Sequence, residues 1–284
     1  MKSVLVTGAS GLLGRSLVRA FESASWAVVG LAHTRVTGQL LKADLTDVQD
    51  TTRIVRKYKP DVIVHSAAQR FPDKVENEYA ASYELNVTAS KNLAALAVPS
   101  AAAVTWHVIS ARNVGKARLP QRLRSYGFWL ETSMLVHPDA IILRIPVLYG
   151  GEEYDAESAV SVLLQLLRDP TKKAKVSDYE IRYPSHTQDI AAIVVQLSER
   201  RLLDNGVAGV YHWCGLEPLT KFQMVRTMAE VLSLGHDHLS PDPEPSQGAP
   251  RPHDCRLECS RLRELGIGQH TRFSEGAKSF ARFL

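Results

Sequence analysis

The stretch Val4-Leu5-Val6-Thr7-Gly8-Ala9-Ser10-Gly11-Leu12-Leu13-Gly14-Arg15 decides the fold. It opens with apolar, mostly β-branched residues typical of a short buried strand, and from Leu12 to Phe21 apolar residues recur at helical spacing. Three glycines separate the two patterns. The stretch therefore predicts a strand, a glycine turn and a helix.

The spacing of these glycines is typical of a dinucleotide-binding turn. Gly8 permits the tight turn, Gly11 lets the backbone approach a pyrophosphate, and Gly14 lets the helix pack closely on the strand. Backbone N–H groups at the helix start would face the phosphates, with the helix dipole behind them. A purely structural turn is the alternative, but the position directly after a strand favours the nucleotide. The predicted phosphate-binding residues are Ser10, Gly11, Leu12 and Leu13.

Strand and helix patterns continue to alternate along the first half of the chain. Further strands are predicted at 26–31, 40–43, 61–65, 104–109 and 140–145, with helices at 48–58 and 78–97. Strands that are apolar on both faces and alternate with helices indicate a parallel sheet. We expect an α/β fold, a Rossmann-type doubly wound parallel sheet over residues 1–150. A smaller C-terminal lobe would follow at 151–284, with a strand near 210–213 returning to the sheet.

Composition excludes several classes of protein. The chain of 284 residues has 45% hydrophobic and 23% charged residues, which is ordinary for a globular protein, and its net charge of +4 is too small to indicate a nucleic-acid binder. No apolar run approaches the roughly 18 residues of a membrane helix. No signal peptide is expected, because Lys2-Ser3 leads straight into the first strand. Three cysteines are too few for a disulfide framework, so we expect a reducing, cytoplasmic location.

The end of the second strand favours NADP over NAD. An NAD site places a carboxylate there to accept the ribose 2′-hydroxyl, but no Asp or Glu occurs between Glu22 and Asp44. The segment His33-Thr34-Arg35 stands there instead, and Arg15 follows the last glycine. A guanidinium suits a 2′-phosphate. The alternative is that Arg35 is an ordinary solvated loop residue.

Residues after the third and fourth strands complete the predicted nucleotide site. Asp44 would reach the exocyclic amine of the adenine, with Leu45 beside it. The small residues of Ser66-Ala67-Ala68 would let the cofactor pass close to the backbone. Arg70 lies just beyond.

These motifs carry a family resemblance. The glycine turn and His65-Ser66-Ala67-Ala68 resemble the extended short-chain dehydrogenase/reductase family. Residues 143–150 and 182–189 are similar to its dTDP-4-dehydrorhamnose reductase branch, and Tyr211-His212-Trp213 and residues 265–269 to the regulatory β subunits of methionine adenosyltransferase within it. The resemblance adds Leu148 to the predicted NADP site.

Reductases of this family use a Tyr-x-x-x-Lys pair, in which the lysine lowers the pKa of the tyrosine from its usual ~10. The matching tyrosine is Tyr126, but Leu130 stands where the lysine belongs, and no lysine occurs between Lys116 and Lys172. We therefore expect no catalytic residues, and a role for Tyr126 in contacting the cofactor.

The resemblance implies a non-catalytic, NADP-binding regulatory subunit that binds the methionine adenosyltransferase catalytic subunit in S-adenosylmethionine biosynthesis. The alternative is an NADPH-dependent sugar-nucleotide reductase. The sequence stops at Phe280-Ala281-Arg282-Phe283-Leu284, before the basic aromatic tail that the resemblance implies. We expect Phe280, Phe283 and Leu284 to act as apolar interface anchors and the affinity for the partner to be weakened.

Other patterns leave alternatives open. Residues 98–125 carry five cations and no acid, which fits a basic surface, a solvated loop, or an altered segment from an alternative exon or gene-model error. His253, Cys255 and Cys259 lack the spacing of a zinc site, so we expect no metal. Asp189 is predicted to start a helix, and residues 240–245 to form a proline-rich surface loop.

Overall fold

The computed structural model describes residues 1–69, 75, 77–97, 104–110, 139–246 and 252–284, the segment 104–110 by its backbone alone. A seven-stranded sheet has the order β10-β6-β5-β4-β1-β2-β3. Its strands are β1 (Ser3–Thr7), β2 (Ala27–Ala32), β3 (Leu41–Lys42), β4 (Val62–His65), β5 (Val104–Ser110), β6 (Ile141–Ile145) and β10 (Gly209–His212). Two two-stranded sheets pair β7 (Leu148–Tyr149) with β9 (Ser185–His186), and β8 (Ala174–Ser177) with β11 (Leu239–Asp242).

Helices follow most of the strands. Their bounds are α1 (Leu12–Ser23), α2 (Val48–Tyr58), α3 (Tyr79–Tyr83), a π-helical turn (Glu84–Thr88), α4 (Ala89–Ala97), a 3₁₀ turn (Ser161–Leu163), α5 (Leu164–Arg168), α6 (Thr187–Leu203), α7 (Lys221–Leu232), α8 (Ser260–Glu264), α9 (Phe273–Ala277) and a 3₁₀ turn (Lys278–Phe283). No helix in these described ranges is long and apolar enough to cross a membrane.

The predicted Rossmann-type α/β fold is confirmed. β1 lies between β2 and β4 and pairs in parallel with both, so that Leu5 is opposite Val29 on one side and Ile63 on the other. Leu5 and Ile63 have no exposed surface because helices cover the sheet. Ile54 of α2 and Leu93 of α4 belong to the same buried cluster. Burial on both faces explains why these strands are apolar throughout.

Two compact units divide the chain. Within the described residues, the first unit comprises 1–110, 139–144 and 191–211, and the second comprises 145–190 and 212–284. The first unit holds most of the seven-stranded sheet. The second unit has its own core around Tyr149, built from α5, α7, α9 and the terminal 3₁₀ turn. The chain therefore passes between the units more than once.

Of three local predictions, one was wrong in part and two were confirmed with added detail. The segment at 240–245 is not wholly a loop, because Leu239–Asp242 forms β11 and pairs in parallel with β8. The helix predicted at 78–97 is interrupted by a π-helical turn at Glu84–Thr88. Asp189 lies in the first turn of α6, as predicted for a residue at a helix start, and its carboxylate also accepts hydrogen bonds from Thr271 N and Oγ1 at 2.7 and 2.8 Å. Each difference arises from a contact distant in sequence or from local helix geometry.

Candidate functional site

The glycine turn between β1 and α1 is packed so tightly that side chains are excluded. Gly8 has φ +66°, and a Cβ on it would lie 2.8 Å from the backbone N of Ala67. A Cβ on Gly14 would lie 2.0 Å from the carbonyl oxygen of Gly8. The guanidinium of Arg15 donates to the carbonyl of Ser10 at 2.7 Å and braces the turn. The turn thus brings the start of α1 against the strand end, which is the geometry that the glycine spacing predicts.

The first turn of α1 presents a positive helix end to which the described residues bring no capping side chain and no acid of its own turn. Gly11 is the N-cap residue, and within the described part of the chain no side chain caps it. The first turn contains no acidic residue. Gly11 N–H donates to Gly8 O at 2.8 Å, so this amide, predicted to face a phosphate, is used inside the turn. The N–H groups of Leu12 and Leu13 remain the donors that the helix geometry directs toward an anion.

A buried polar pair joins the carboxyl ends of β1 and β4. Thr7 Oγ1 lies 2.7 Å from His65 Nδ1, and both side chains are buried. Burial lowers the pKa of His65 to about 4, so the imidazole is neutral at physiological pH. Ser66 Oγ donates to the carbonyl of Thr7 at 2.7 Å. The hydroxyl of Ser66, predicted to line the cofactor site, therefore ties the two strand ends together.

Asn86 is a positioning residue that the sequence reasoning missed. Its side-chain oxygen accepts from Gln69 N at 2.8 Å, and its side-chain nitrogen donates to Gln69 O at 3.0 Å. The two bonds fix the segment after β4 by its backbone. Asn86 lies in the π-helical turn Glu84–Thr88, a geometry that often marks functional sites. An asparagine inside a predicted helix, where it is unfavourable, was the available signal.

The end of β2 exposes the residues predicted to select the cofactor. The side chains of His33, Thr34 and Arg35 follow the buried Ala32 and are exposed. His33 Nε2 lies 3.9 Å from Asp44 Oδ2. Hydrogen bonds from the Thr46 hydroxyl and N–H hold the pKa of Asp44 below its ordinary value. One oxygen of Asp44 is thus engaged by its own turn, and the other faces His33.

The remaining predicted contacts are placed as follows. Leu45 is buried in the core cluster of the first unit. Leu148 lies in β7 of the second unit, where it pairs with Ser185. Arg70, Tyr126 and Leu130 lie outside the described residues, as does most of the basic segment 98–125.

A buried carboxylate in the second unit was also missed. Glu152 Oε1 accepts from Gly150 N and Ser158 Oγ, both at 2.9 Å, and Arg282 Nη2 lies 3.8 Å from Glu152 Oε2. The side chain of Glu152 is fully buried. Burial also raises the pKa of the neighbouring Tyr149 above its ordinary value. The carboxylate of Glu152 thus links the turn after β7 to the end of the chain, with Arg282 as the nearby cation and no hydrogen bond to its Oε2 from the described residues.

The chain end differs from the predicted set of interface anchors. Phe280 is fully buried in the core of the second unit, so it is not a surface anchor. Arg282 donates to the carbonyl of Glu152 at 2.5 Å and stacks over Phe283, whereas Leu284 is exposed. The described residues contain no group of three or more potential metal ligands.

Comparisons with known proteins identify one matching family and two groups of similar proteins. The RmlD substrate binding domain family matches residues 1–110 and 130–283. Methionine adenosyltransferase 2 subunit beta of Bos taurus is 38% identical over 98% of this chain and 86% of its own. dTDP-4-dehydrorhamnose reductase of Aggregatibacter actinomycetemcomitans is 27% identical over 76% of this chain and 74% of its own.

A solved structure of dTDP-4-dehydrorhamnose reductase from Bacillus anthracis, in complex with NADP, has the same fold. Its TM-score is 0.80 at 20% identity, with 99% of this chain and 98% of that chain covered. The family match leaves residues 111–129 unmatched. Tyr126 lies in that unmatched stretch, so its equivalence to the reductase tyrosine rests on the sequence pattern alone.

Proposed function

The chain belongs to the RmlD substrate binding domain family, and from this premise we propose that it is an NADP-binding regulatory subunit of a methionine adenosyltransferase. The observation that carries the proposal is the match to methionine adenosyltransferase 2 subunit beta, which extends over 98% of this chain at 38% identity. In this role the chain binds the catalytic subunit as a hetero-oligomer. It changes S-adenosylmethionine synthesis without carrying out a reaction itself.

Binding of NADP is proposed mainly from residues of the first unit. The uncapped start of α1 receives the pyrophosphate through Leu12 and Leu13 N–H, beside Ser10 and Gly11. His33, Thr34 and Arg35 surround the adenine ribose, where a guanidinium compensates the charge of a 2′-phosphate. Asp44 and Leu45 are assigned to the adenine side and the Ser66 segment to the nicotinamide side. Arg70 and Tyr126 are kept as cofactor contacts on the sequence pattern alone, and Leu148 on the family resemblance.

The lack of reductase chemistry is proposed from the missing lysine. A bound NADPH supplies hydride, but reduction of a carbonyl also needs a proton donor near neutral pH. Leu130 provides no charge to lower the pKa of Tyr126. The imidazole of His65 lies at the end of β4, and burial keeps it neutral and in contact with Thr7. The cofactor would then act as a structural ligand.

A cytoplasmic location is proposed from the cysteines. None of Cys214, Cys255 and Cys259 forms a disulfide within the part of the chain that the structure describes. Thiols persist in a reducing compartment, whereas secreted proteins of this kind usually carry disulfides.

The alternative function is an NADPH-dependent sugar-nucleotide reductase, which the 27% identity to dTDP-4-dehydrorhamnose reductase favours. One experiment separates the two. The purified chain is mixed with a methionine adenosyltransferase catalytic subunit at ~10 μM, which corresponds to roughly −7 kcal/mol of binding, and analysed by size-exclusion chromatography with light scattering. A stable complex supports the regulatory function. If each protein elutes alone and the chain reduces dTDP-4-keto sugars, the alternative is correct.

A further inference from the structure

Two cysteines from distant parts of the chain meet in the second unit. Cys214 follows β10 and Cys259 is the N-cap residue of α8, yet their Sγ atoms lie 3.9 Å apart. Both sulfurs also lie 3.4 Å from the carbonyl oxygen of Leu257. The carbonyl group of Leu257, two residues before Cys259, therefore contacts both thiols and holds them close together.

The surroundings of the pair favour a reactive thiolate. A hydrogen bond from the Cys259 thiol lowers the pKa of Cys214 to about 7, against the opposing effect of burial, and Arg256 assists. The same hydrogen bond raises the pKa of Cys259, so that Cys259 holds the shared proton. The carboxylates of Asp254 and Glu258 oppose ionisation of Cys214 and Cys259 respectively.

Access to solvent differs between the two sulfurs. Cys214 is 6% exposed, whereas Cys259 is partly exposed. A small oxidant can reach such a site, and a bulky disulfide cannot easily do so. The pair therefore divides the two properties of a redox-active site, because Cys214 has the lowered pKa and Cys259, in contact with it, has the access to solvent.

We propose that Cys214 and Cys259 form a redox-sensitive pair that closes reversibly to an intramolecular disulfide on reaction with hydrogen peroxide. A disulfide has an S–S distance of about 2.0 Å, so the sulfurs must approach by about 2 Å. This is within reach of side-chain rotation and small shifts of the segment around Leu257. The proposal is independent of cofactor and partner binding.

The oxidation balances in two steps. The Cys214 thiolate attacks one peroxide oxygen; an S–O bond forms, the O–O bond breaks, and the departing hydroxide takes a proton to leave as water. The Cys259 sulfur then attacks the resulting sulfenic acid; the S–S bond forms, the S–O bond breaks, and the Cys259 proton leaves with the hydroxyl as a second water. Two thiols and one peroxide thus give one disulfide and two waters. A dithiol reductant reverses the change.

The consequence of the bond is a more stable second unit. The disulfide would close a loop that contains α7 and β11, whose residues pack in the core of this unit. Closing a loop of this length restricts the unfolded chain. The oxidised protein should therefore unfold at a higher temperature than the reduced protein.

Peptide mapping tests the proposal on the whole chain. Trypsin cleaves after Arg256 and so places Cys255 and Cys259 on different peptides, while Cys214 lies on residues 202–221. After treatment with stoichiometric hydrogen peroxide and alkylation of remaining thiols, mass spectrometry should find 202–221 linked to 257–261, and dithiothreitol should release the link. A link from 202–221 to the Cys255 peptide as the main product, or no link at all, overturns the proposal.

Matched variants keep the result interpretable. Cys255→Ser should leave both the link and the rise in melting temperature unchanged. Cys259→Ser should abolish both, and Cys214 should then be alkylated after peroxide treatment only if its sulfenic acid is first reduced. Circular dichroism of the reduced variants checks that they fold. If Cys259→Ser is folded in the reduced state and its melting temperature still rises on peroxide treatment, the cysteine pair does not cause the rise and the proposal is wrong.

Discussion

Thr7 Oγ1 and His65 Nδ1 lie 2.7 Å apart at the carboxyl ends of two adjacent parallel strands, and neither side chain reaches solvent. The pair stands where the sheet order reverses, between β1 and β4, which is where nucleotides bind in this class of fold. Each side chain supplies a partner to the other. The strand ends beneath the glycine turn are therefore rigid, polar and uncharged.

Stability should fall on acidification because of His65. Burial lowers its pKa to about 4 in the folded protein, whereas the unfolded chain has the ordinary value of about 6.5. Below pH 6.5 the unfolded chain binds a proton that the folded chain refuses, so stability is lost as the pH falls toward 4. Between pH 7.5 and 5.0 this loss is about 2 kcal/mol.

Urea unfolding at pH 7.5 and at pH 5.0 measures this loss of stability. The variant His65→Asn should lack this part of the pH dependence. Thr7→Val should retain it, since burial and not the hydrogen bond causes the shift. If the free energy of unfolding fell by the same amount between pH 7.5 and 5.0 in the wild type and in His65→Asn, the assignment to His65 would be wrong.

Packing of the glycine turn predicts a large effect of a single methyl group. In Gly14→Ala the new Cβ would lie 2.0 Å from Gly8 O, so α1 must move away from β1. Overpacking of this kind costs typically 1–3 kcal/mol, and displacement of α1 should also abolish NADPH binding. Gly235→Ala is the control, because no described heavy atom lies within 4 Å of its new Cβ. Chemical denaturation should show lower stability for Gly14→Ala only, and calorimetric titration should show NADPH binding for Gly235→Ala only.

Cofactor choice is tested at the end of β2. We expect NADPH to bind at least ~10-fold more tightly than NADH, which corresponds to about 1.4 kcal/mol. Arg35→Asp should weaken NADPH and spare NADH. Arg56→Asp changes the same charge on an exposed residue of α2 and should affect neither. Isothermal titration calorimetry measures the affinities for NADPH and NADH. Equal affinities of the wild type for both cofactors would show that Arg35 does not select NADPH.

Local sequence patterns predicted the first unit well. The apolar run at β1, the glycine spacing and the helical period of α1 all depend on neighbours within a few residues, and so does α2, whose predicted bounds 48–58 agree with the structure. The π-helical turn at Glu84–Thr88 was not predicted, because a periodicity that indicates a helix does not specify where one of its turns changes hydrogen-bond spacing.

Contacts between distant residues limited the prediction of the site. Ser66 was expected to face the cofactor, but its hydroxyl is bonded to Thr7, which is 59 positions away in sequence. Phe280 has the composition of an interface anchor, yet the core of the second unit buries it completely. Polar and aromatic residues gain such partners only through the tertiary fold, and spacing alone carries no signal of them.

Reductase activity should be absent. With Leu130 in place of the lysine, the purified chain should oxidise NADPH no faster with dTDP-4-keto sugars than without protein, as followed by absorbance. Leu130→Lys alone should not restore full activity. The family resemblance also implies a serine after the fifth strand, and the sequence there, Ser110-Ala111-Arg112, departs from that pattern. Turnover by the wild type in the ordinary range of ~1–10³ s⁻¹ would show that the chain is an enzyme.

The most direct test of the regulatory function is the kinetics of the catalytic subunit. A regulator acts only if it binds the states of its partner unequally, so a bound chain must change a measurable property of that partner. Initial rates of S-adenosylmethionine formation are measured against methionine concentration, with and without a saturating excess of the chain and NADPH. We predict a shift in the apparent KM for methionine or in kcat that a matched excess of serum albumin does not produce. Superimposable curves at concentrations up to ~10 μM would contradict the account.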